Sequence, residues 1–270
     1  MSKPPTSPPP PEYATLPLGP GGGELDAPAL HVRLAEGPVR GAALVLPGGG
    51  YSFVSMDNEG WPVAGALAAE GFDVGVLRYR VAPGARHPDM IRDAVAGVRR
   101  LRERLHAAGR AGRVGAVGFS AGGHLAASLA LHGARFEEHP PAAGHADARV
   151  DALVLGYPVI DLEPPLAHAG SRLALLGPDP DPELVERLRL HRHVTPAAPP
   201  AFLFHTANDG PVPVGNTLAY AGACAAAGVP FSVHVYEDGP HGLGVARDHP
   251  EAHAWLPAAV AFLRRHLAGS

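Results

Sequence analysis

Apolar residues in this chain fall into two alternating kinds of run. Short, nearly unbroken runs occur at 30–34 (LHVRL), 42–46 (within GAALVLPGGG), 72–80 (FDVGVLRYR) and 113–119 (RVGAVGF). Three more follow at 150–158 (VDALVLGYP), 201–206 (AFLFHT) and 231–237 (FSVHVYE). Their length and β-branched content predict strands covered on both faces. Between them lie longer runs with helical spacing. The clearest is 89–108, where Ile91, Val95, Val98, Leu101 and Leu105 recur every three or four residues. A helix over 61–71 carries Pro62 in its first turn and Gly71 at its end, both ordinary start and stop signals. Further helices are expected at 121–132, 213–227 and 250–268. Strands alternating with helices predict a parallel sheet with helices on both faces. In such sheets ligands bind beyond the carboxyl ends of the strands.

Two regions break this rhythm. Residues 1–24 are dominated by proline and glycine and predict a flexible tail. The tail has no apolar core of a secretory signal. Residues 25–270 then read as one domain. The second region, 162–199, is a proline-rich irregular insert with short helical pieces near 171–176 and 181–190.

Composition narrows the functional classes. A length of 270 residues suffices for one large domain with a sizeable core. The shares of hydrophobic (46%) and charged (18%) residues are those of a soluble globular protein. A net charge of −4 without a basic cluster argues against nucleic-acid binding. No segment is long and apolar enough to span a membrane, so a cytoplasmic protein is expected. The single cysteine, Cys224, excludes an intrachain disulfide. It lies in an alanine-rich run with no histidine beside it and reads as a buried, inert thiol.

The candidate chemistry starts at AVGFSAGGHLAASLA, residues 116–130. Here Gly-x-Ser-x-Gly follows a predicted strand and opens a predicted helix. That is the setting of a nucleophile elbow, with Ser120 as nucleophile. A serine in this turn also suits a plain helix cap. A serine hydroxyl needs an adjacent base, and the base needs an orienting acid. Among 16 histidines, His241 stands out in VHVYEDGPHGLG, on a turn just past a strand. His205, at the end of AFLFHT, is expected near the site in a supporting place. Asp209 follows the same strand in HTANDG. The order Ser120, Asp209, His241 is that of the elbow fold. Asp161, after the preceding strand, is the main rival acid; Asp238 is too close along the loop to His241. Three glycines after strand 42–46 expose backbone N–H groups able to hold an oxyanion. No Gly-Lys-Ser/Thr follows them, so a nucleotide loop is disfavoured. His191 and His193 face apart on a helix, and no Cys/His cluster suggests a metal. No metal and no cofactor is expected.

The segments PGGGYSF, VLRYRVAP, GFSAGGHLA, YPVID, TPAAPPAFLFHTANDGPVPVGNT and EDGPHGLG together resemble the small esterases of the α/β-hydrolase superfamily. The similarity is to acetyl xylan esterase-like and hormone-sensitive-lipase-like carboxylesterases. It runs from about residue 40 to the end. It implies an α/β-hydrolase fold with a mostly parallel central sheet and little or no cap domain. It implies Ser120, Asp209 and His241 as the triad and the N–H groups of Gly49, Gly50 and Ala121 as the oxyanion hole. By the same resemblance Tyr51 is expected to line the substrate pocket, His124 to support the elbow, and Arg80 to pair with Asp93. Lipase-type members begin the glycine loop with histidine; here that position is Pro47. This departure points to a sugar-deacetylase-like member, acting on short acyl esters of a small polar molecule. Hydrolysis of small amides or formamides is the alternative enzyme class. A non-catalytic binding protein is the third.

Overall fold

A computed structural model describes residues 7–19, 27–110, 112–136 and 147–267. Among them eight strands form one sheet: β1 Ala14–Pro17, β2 Ala29–Arg33, β3 Ala42–Leu46, β4 Asp73–Arg78, β5 Val114–Phe119, β6 Ala152–Gly156, β7 Ala201–Thr206 and β8 Phe231–Tyr236. Their spatial order is β1-β2-β4-β3-β5-β6-β7-β8. The β1–β2 and β2–β4 pairs are antiparallel, and all later pairs are parallel.

The helices are α1 Trp61–Ala69, α2 Asp89–Ala107, α3 Ser120–His132, α4 Ala169–Leu176, α5 Pro182–Arg187, α6 Gly215–Ala227, α7 Pro250–His253 and α8 Trp255–Leu267. Side chains alternate across a strand, and β3 shows the result. Ala42, Leu44 and Leu46 join the core under α2, α3 and α6, while Ala43 and Val45 join the core under α1 and α8. In the second core the Trp255 and Phe204 rings stack at 4.4 Å, and Phe119 packs edge-on against Trp255. The residue before Ser120 is thereby clamped. None of the described helices is long and apolar enough to cross a membrane.

Two expectations need correction. The proposed flexible tail 1–24 contains β1. Tyr13 is buried beside Trp61, and Ala14–Pro17 pairs with Ala29–Val32 at the sheet edge. Proline is tolerated on an edge strand, where a missing N–H breaks no ladder. Residues 1–6 and 20–24 lie outside the described residues. The helix expected over 250–268 is two helices. Pro257 has no N–H to give the carbonyl of His253, and the break falls between 253 and 255. The insert 162–199 carries its two expected helical pieces as α4 and α5, with a short 3₁₀ turn after them, and Leu188 and Leu190 are buried in the core.

Other expectations hold. Arg80 grips Asp93 through Nε and Nη2. Cys224 is buried in α6, and burial pushes its thiol up to about 11.

Several histidines are packed where a charge is costly. Burial pushes His31, His87 and His124 down to about 4, with nearby arginines adding to the effect at His31 and His87. Between about pH 6.5 and about 4 the unfolded chain therefore binds protons that the folded chain refuses. Folding stability should fall as pH is lowered through that window and be fully present above it. Thermal melts from pH 8 to 4 test this. A melting temperature independent of pH below 6.5 would contradict the assigned neutral state of these rings.

Candidate active site

Four loops at the carboxyl ends of parallel strands meet above the sheet. They follow β3, β5, β7 and β8. At the end of β5 the chain turns directly into α3, and Ser120 takes a φ of +51°. A non-glycine residue pays conformational energy for that angle. The turn is held by close packing that only glycine allows. A Cβ on Gly118 would lie 2.4 Å from the Gly122 carbonyl oxygen, and one on Gly122 would lie 2.1 Å from that of Leu46.

His241 arrives on the loop after β8. Its Nε2 lies 2.8 Å from Ser120 Oγ, and its Nδ1 lies 2.7 Å from Asp209 Oδ2. A carboxylate can only accept, so Nδ1–H donates to Asp209 and the lone pair on Nε2 faces the serine hydroxyl. Asp209 Oδ1 also accepts the Val212 N–H at 2.9 Å, and His205 Nε2 stands 3.3 Å from Oδ2. Burial acts to raise the Asp209 pKa. The hydrogen bonds from His205, His241 and Val212 outweigh it and hold the carboxyl well below the usual range. Asp209 therefore stays ionised throughout the working range of an enzyme.

The rival acids are engaged elsewhere. Asp161 is gripped by Arg189, with Nε 2.9 Å from Oδ1 and Nη2 3.0 Å from Oδ2. Asp238 accepts from Asn208 Nδ2.

The glycine loop after β3 forms the other wall. The Gly48 N–H is already taken by Glu59 Oε2 at 2.7 Å. Among the described residues the N–H groups of Gly49 and Gly50 donate to no protein atom. The Ala121 N–H lies in the first turn of α3, where a helix offers no internal acceptor. These are the three N–H groups that the resemblance implies for the oxyanion hole. Gly49 has a φ of +124°, and a Cβ there would meet the Phe53 carbonyl oxygen at 2.2 Å.

Tyr51 is a correction. It is 1% exposed and does not reach the cleft. Its own positive φ of 60° turns the side chain inward, where its hydroxyl meets His124 Nδ1 at 2.8 Å. His124 Nε2 lies 3.0 Å from the Leu188 carbonyl and must donate to it, so Nδ1 accepts from Tyr51. His124 thus ties the elbow helix to the glycine loop and the insert, a supporting role as expected.

Other residues of the site were not foreseen. Glu59 is 3% exposed and bridges two loops. Its Oε1 accepts from the Tyr157 hydroxyl at 2.8 Å, which in turn accepts the Gly244 N–H. The Tyr157 ring packs edge-on against the His241 imidazole. Burial raises the Glu59 pKa against these hydrogen bonds. Asn58 Nδ2 donates to the Gly242 carbonyl at 2.7 Å and pins the histidine loop from the other side. The cleft above Ser120 has a volume of about 350 Å³, and Ser52, Ser55, Asn58 and His168 line it with polar groups. A larger cavity of about 710 Å³ lies between β1 and α2, among arginines, and contains none of the Ser120–His241–Asp209 relay.

Comparison with known proteins places the chain in a family. The family model BD-FAE matches residues 40–221. Endo-1,4-beta-xylanase B of Butyrivibrio fibrisolvens is 33% identical over 215 residues, covering 77% of this chain and 33% of the relative. An acetylxylan esterase of Xylanibacter ruminicola is 31% identical over 216 residues, covering 78% and 42% respectively. The chain thus spans between a third and a half of the length of these curated relatives. Among solved structures, an acetyl ester-xyloside bifunctional hydrolase from Caldicellulosiruptor lactoaceticus superposes with a TM-score of 0.83 at 34% identity. That match covers 93% of this chain and 96% of the other.

Proposed function

The chain belongs to the BD-FAE family of the α/β-hydrolase superfamily, and from that premise we propose that it is a serine esterase that removes short acyl groups, acetyl above all, from a sugar or another polar alcohol. The observation that carries this reading is the unbroken relay Ser120 Oγ, His241, Asp209 at the floor of an open cleft.

In the proposed mechanism Ser120 Oγ attacks the ester carbonyl as its proton passes to His241 Nε2. The carbonyl oxygen gains negative charge, which the N–H groups of Gly49, Gly50 and Ala121 stabilise. The ester C–O bond then breaks. His241 returns the proton to the departing alkoxide, leaving an acyl-serine. Water attacks the acyl-serine, with His241 taking one of its protons. When the second tetrahedral intermediate collapses, that proton goes to Ser120 Oγ and the carboxylic acid leaves. Asp209 holds the ring in the required tautomer and offsets the charge of the imidazolium.

The short-acyl preference is supported by the modest volume of the cleft and by the similarity to a relative named as an acetylxylan esterase. The insert presents α4 and α5, and no long apolar lid is built from them. The test is kcat/KM for acetyl, butyryl, octanoyl and palmitoyl esters of one alcohol, beside an acetylated sugar and N-formylkynurenine. Acetyl should lead, with successive losses graded at about 1–3 kcal/mol per misfitting methylene. An optimum at octanoyl or longer would defeat the short-acyl reading, and a formamide preferred over every ester would move the site to the amidase class.

A further inference from the structure

His168 is a polar side chain of the cleft to which neither the sequence motifs nor the triad assign a task. It caps α4, and its Nδ1 lies 3.2 Å from the Ser171 N–H and 2.8 Å from Ser171 Oγ. A backbone N–H can only donate, so Nδ1 carries the lone pair and the ring proton sits on Nε2. Among the described residues Nε2 has no protein partner, and it is not sealed from solvent. The ring stands over the oxyanion loop: its Cε1 lies 3.9 Å from the place a Cβ on Gly50 would take. His168, His241 and Ser120 line the same cleft.

We propose that His168 Nε2–H is the donor that reads the alcohol part of the substrate, binding a hydroxyl or ether oxygen close to the scissile ester. The inference rests on the esterase reading and adds the residue that selects for a polyol or carbohydrate ester. The bound orientation follows from the mechanism. The acyl oxygen points to Gly49 and Gly50, and the leaving oxygen must face His241 to receive its proton. The remainder of the alcohol then lies in the cleft within reach of a donor fixed above Gly50. Burial, with the nearby His241 adding to it, lowers the His168 pKa. The ring is neutral near pH 7 and offers one uncharged donor. That suits a hydroxyl or ring oxygen better than a carboxylate, which would favour a cation.

The cap makes the test clean. His168→Asn keeps a good N-cap residue for α4 but withdraws the donor from the cleft, because the amide is shorter than an imidazole. His168→Ala removes both. The measured quantity is the ratio of kcat/KM for an acetylated xylose to that for phenyl acetate, whose alcohol has no second oxygen. Both variants should lower this ratio about tenfold, the worth of one hydrogen bond at the upper end of the usual range, and the change should appear mainly in KM. A ratio that survives in His168→Asn while it falls in His168→Ala would reduce His168 to a helix cap and overturn the proposal. So would a ratio that survives in both. If the wild type hydrolyses neither ester, the parent esterase reading fails and this inference falls with it. Activity on both esters with an unmoved ratio overturns this inference alone.

Discussion

Ser120→Ala should lower kcat for acetyl esters by on the order of 10⁴- to 10⁶-fold while leaving the fold intact. The size follows from the site. Ser120 Oγ is the nucleophile of the proposed acyl-enzyme, and His241 Nε2 is its hydrogen-bonding partner in the relay. Without the hydroxyl no covalent intermediate forms, and the oxyanion donors alone retain only a small residue of catalysis. The fold should survive because the elbow is built by backbone packing at Gly118 and Gly122 and by the clamped Phe119, none of which uses the hydroxyl. Kinetics of the purified variant, with circular dichroism for the fold, measure both parts. Mass spectrometry after a fluorophosphonate probe should find the wild type labelled at Ser120 and the variant unlabelled. Near wild-type turnover in Ser120→Ala would end the triad reading.

The parts of the molecule legible in the sequence are those governed by local rules. Strands β3 to β7 are buried along most of their length, so they read as apolar runs. Even β8, half exposed, keeps its β-branched alternation. The elbow was legible because a strand that turns at once into a helix needs small residues at fixed offsets. Other features depend on contacts between distant segments. Strand β1 is short and flanked by prolines, and only its pairing with β2 and the burial of Tyr13 make it a strand.

Glu59 follows the same logic. A carboxylate in MDNEGW reads as a solvated helix start. Its task appears only when Gly48 and Tyr157, the latter 98 residues away, fold onto its two oxygens. Tyr51 misled for a related reason. Its place beside the glycine loop suggested the pocket, but a positive φ sends its ring into the core. His168 was hidden among 16 histidines, and only the Ser171 cap and the nearby oxyanion loop distinguish it.

Asp209→Asn should cost about 10⁴-fold in kcat, far more than Asp161→Asn. Both carboxylates follow strand ends, and the sequence left them as rivals for the same role. Their surroundings separate them. Asp209 Oδ2 receives the His241 Nδ1–H, while Oδ1 is tied to the Val212 N–H. An asparagine can satisfy only one of these with its single carbonyl oxygen. If the oxygen stays on Val212, the amide NH₂ faces His241, and a donor opposite Nδ1 drives the ring proton to Nε2. Nε2 then cannot take the serine proton, and the relay holds the wrong tautomer. The effect should persist across the pH range, since Asp209 is held well below ordinary carboxylate values and is ionised wherever the enzyme works. Asp161, by contrast, balances the guanidinium of Arg189 from the insert. Asp161→Asn leaves that cation partly unpaired and should lower the melting temperature while sparing the chemical step. Side-by-side kcat and thermal melts of the two variants decide the matter. A greater kcat loss in Asp161→Asn than in Asp209→Asn would mean that the acid of the relay had been assigned to the wrong strand.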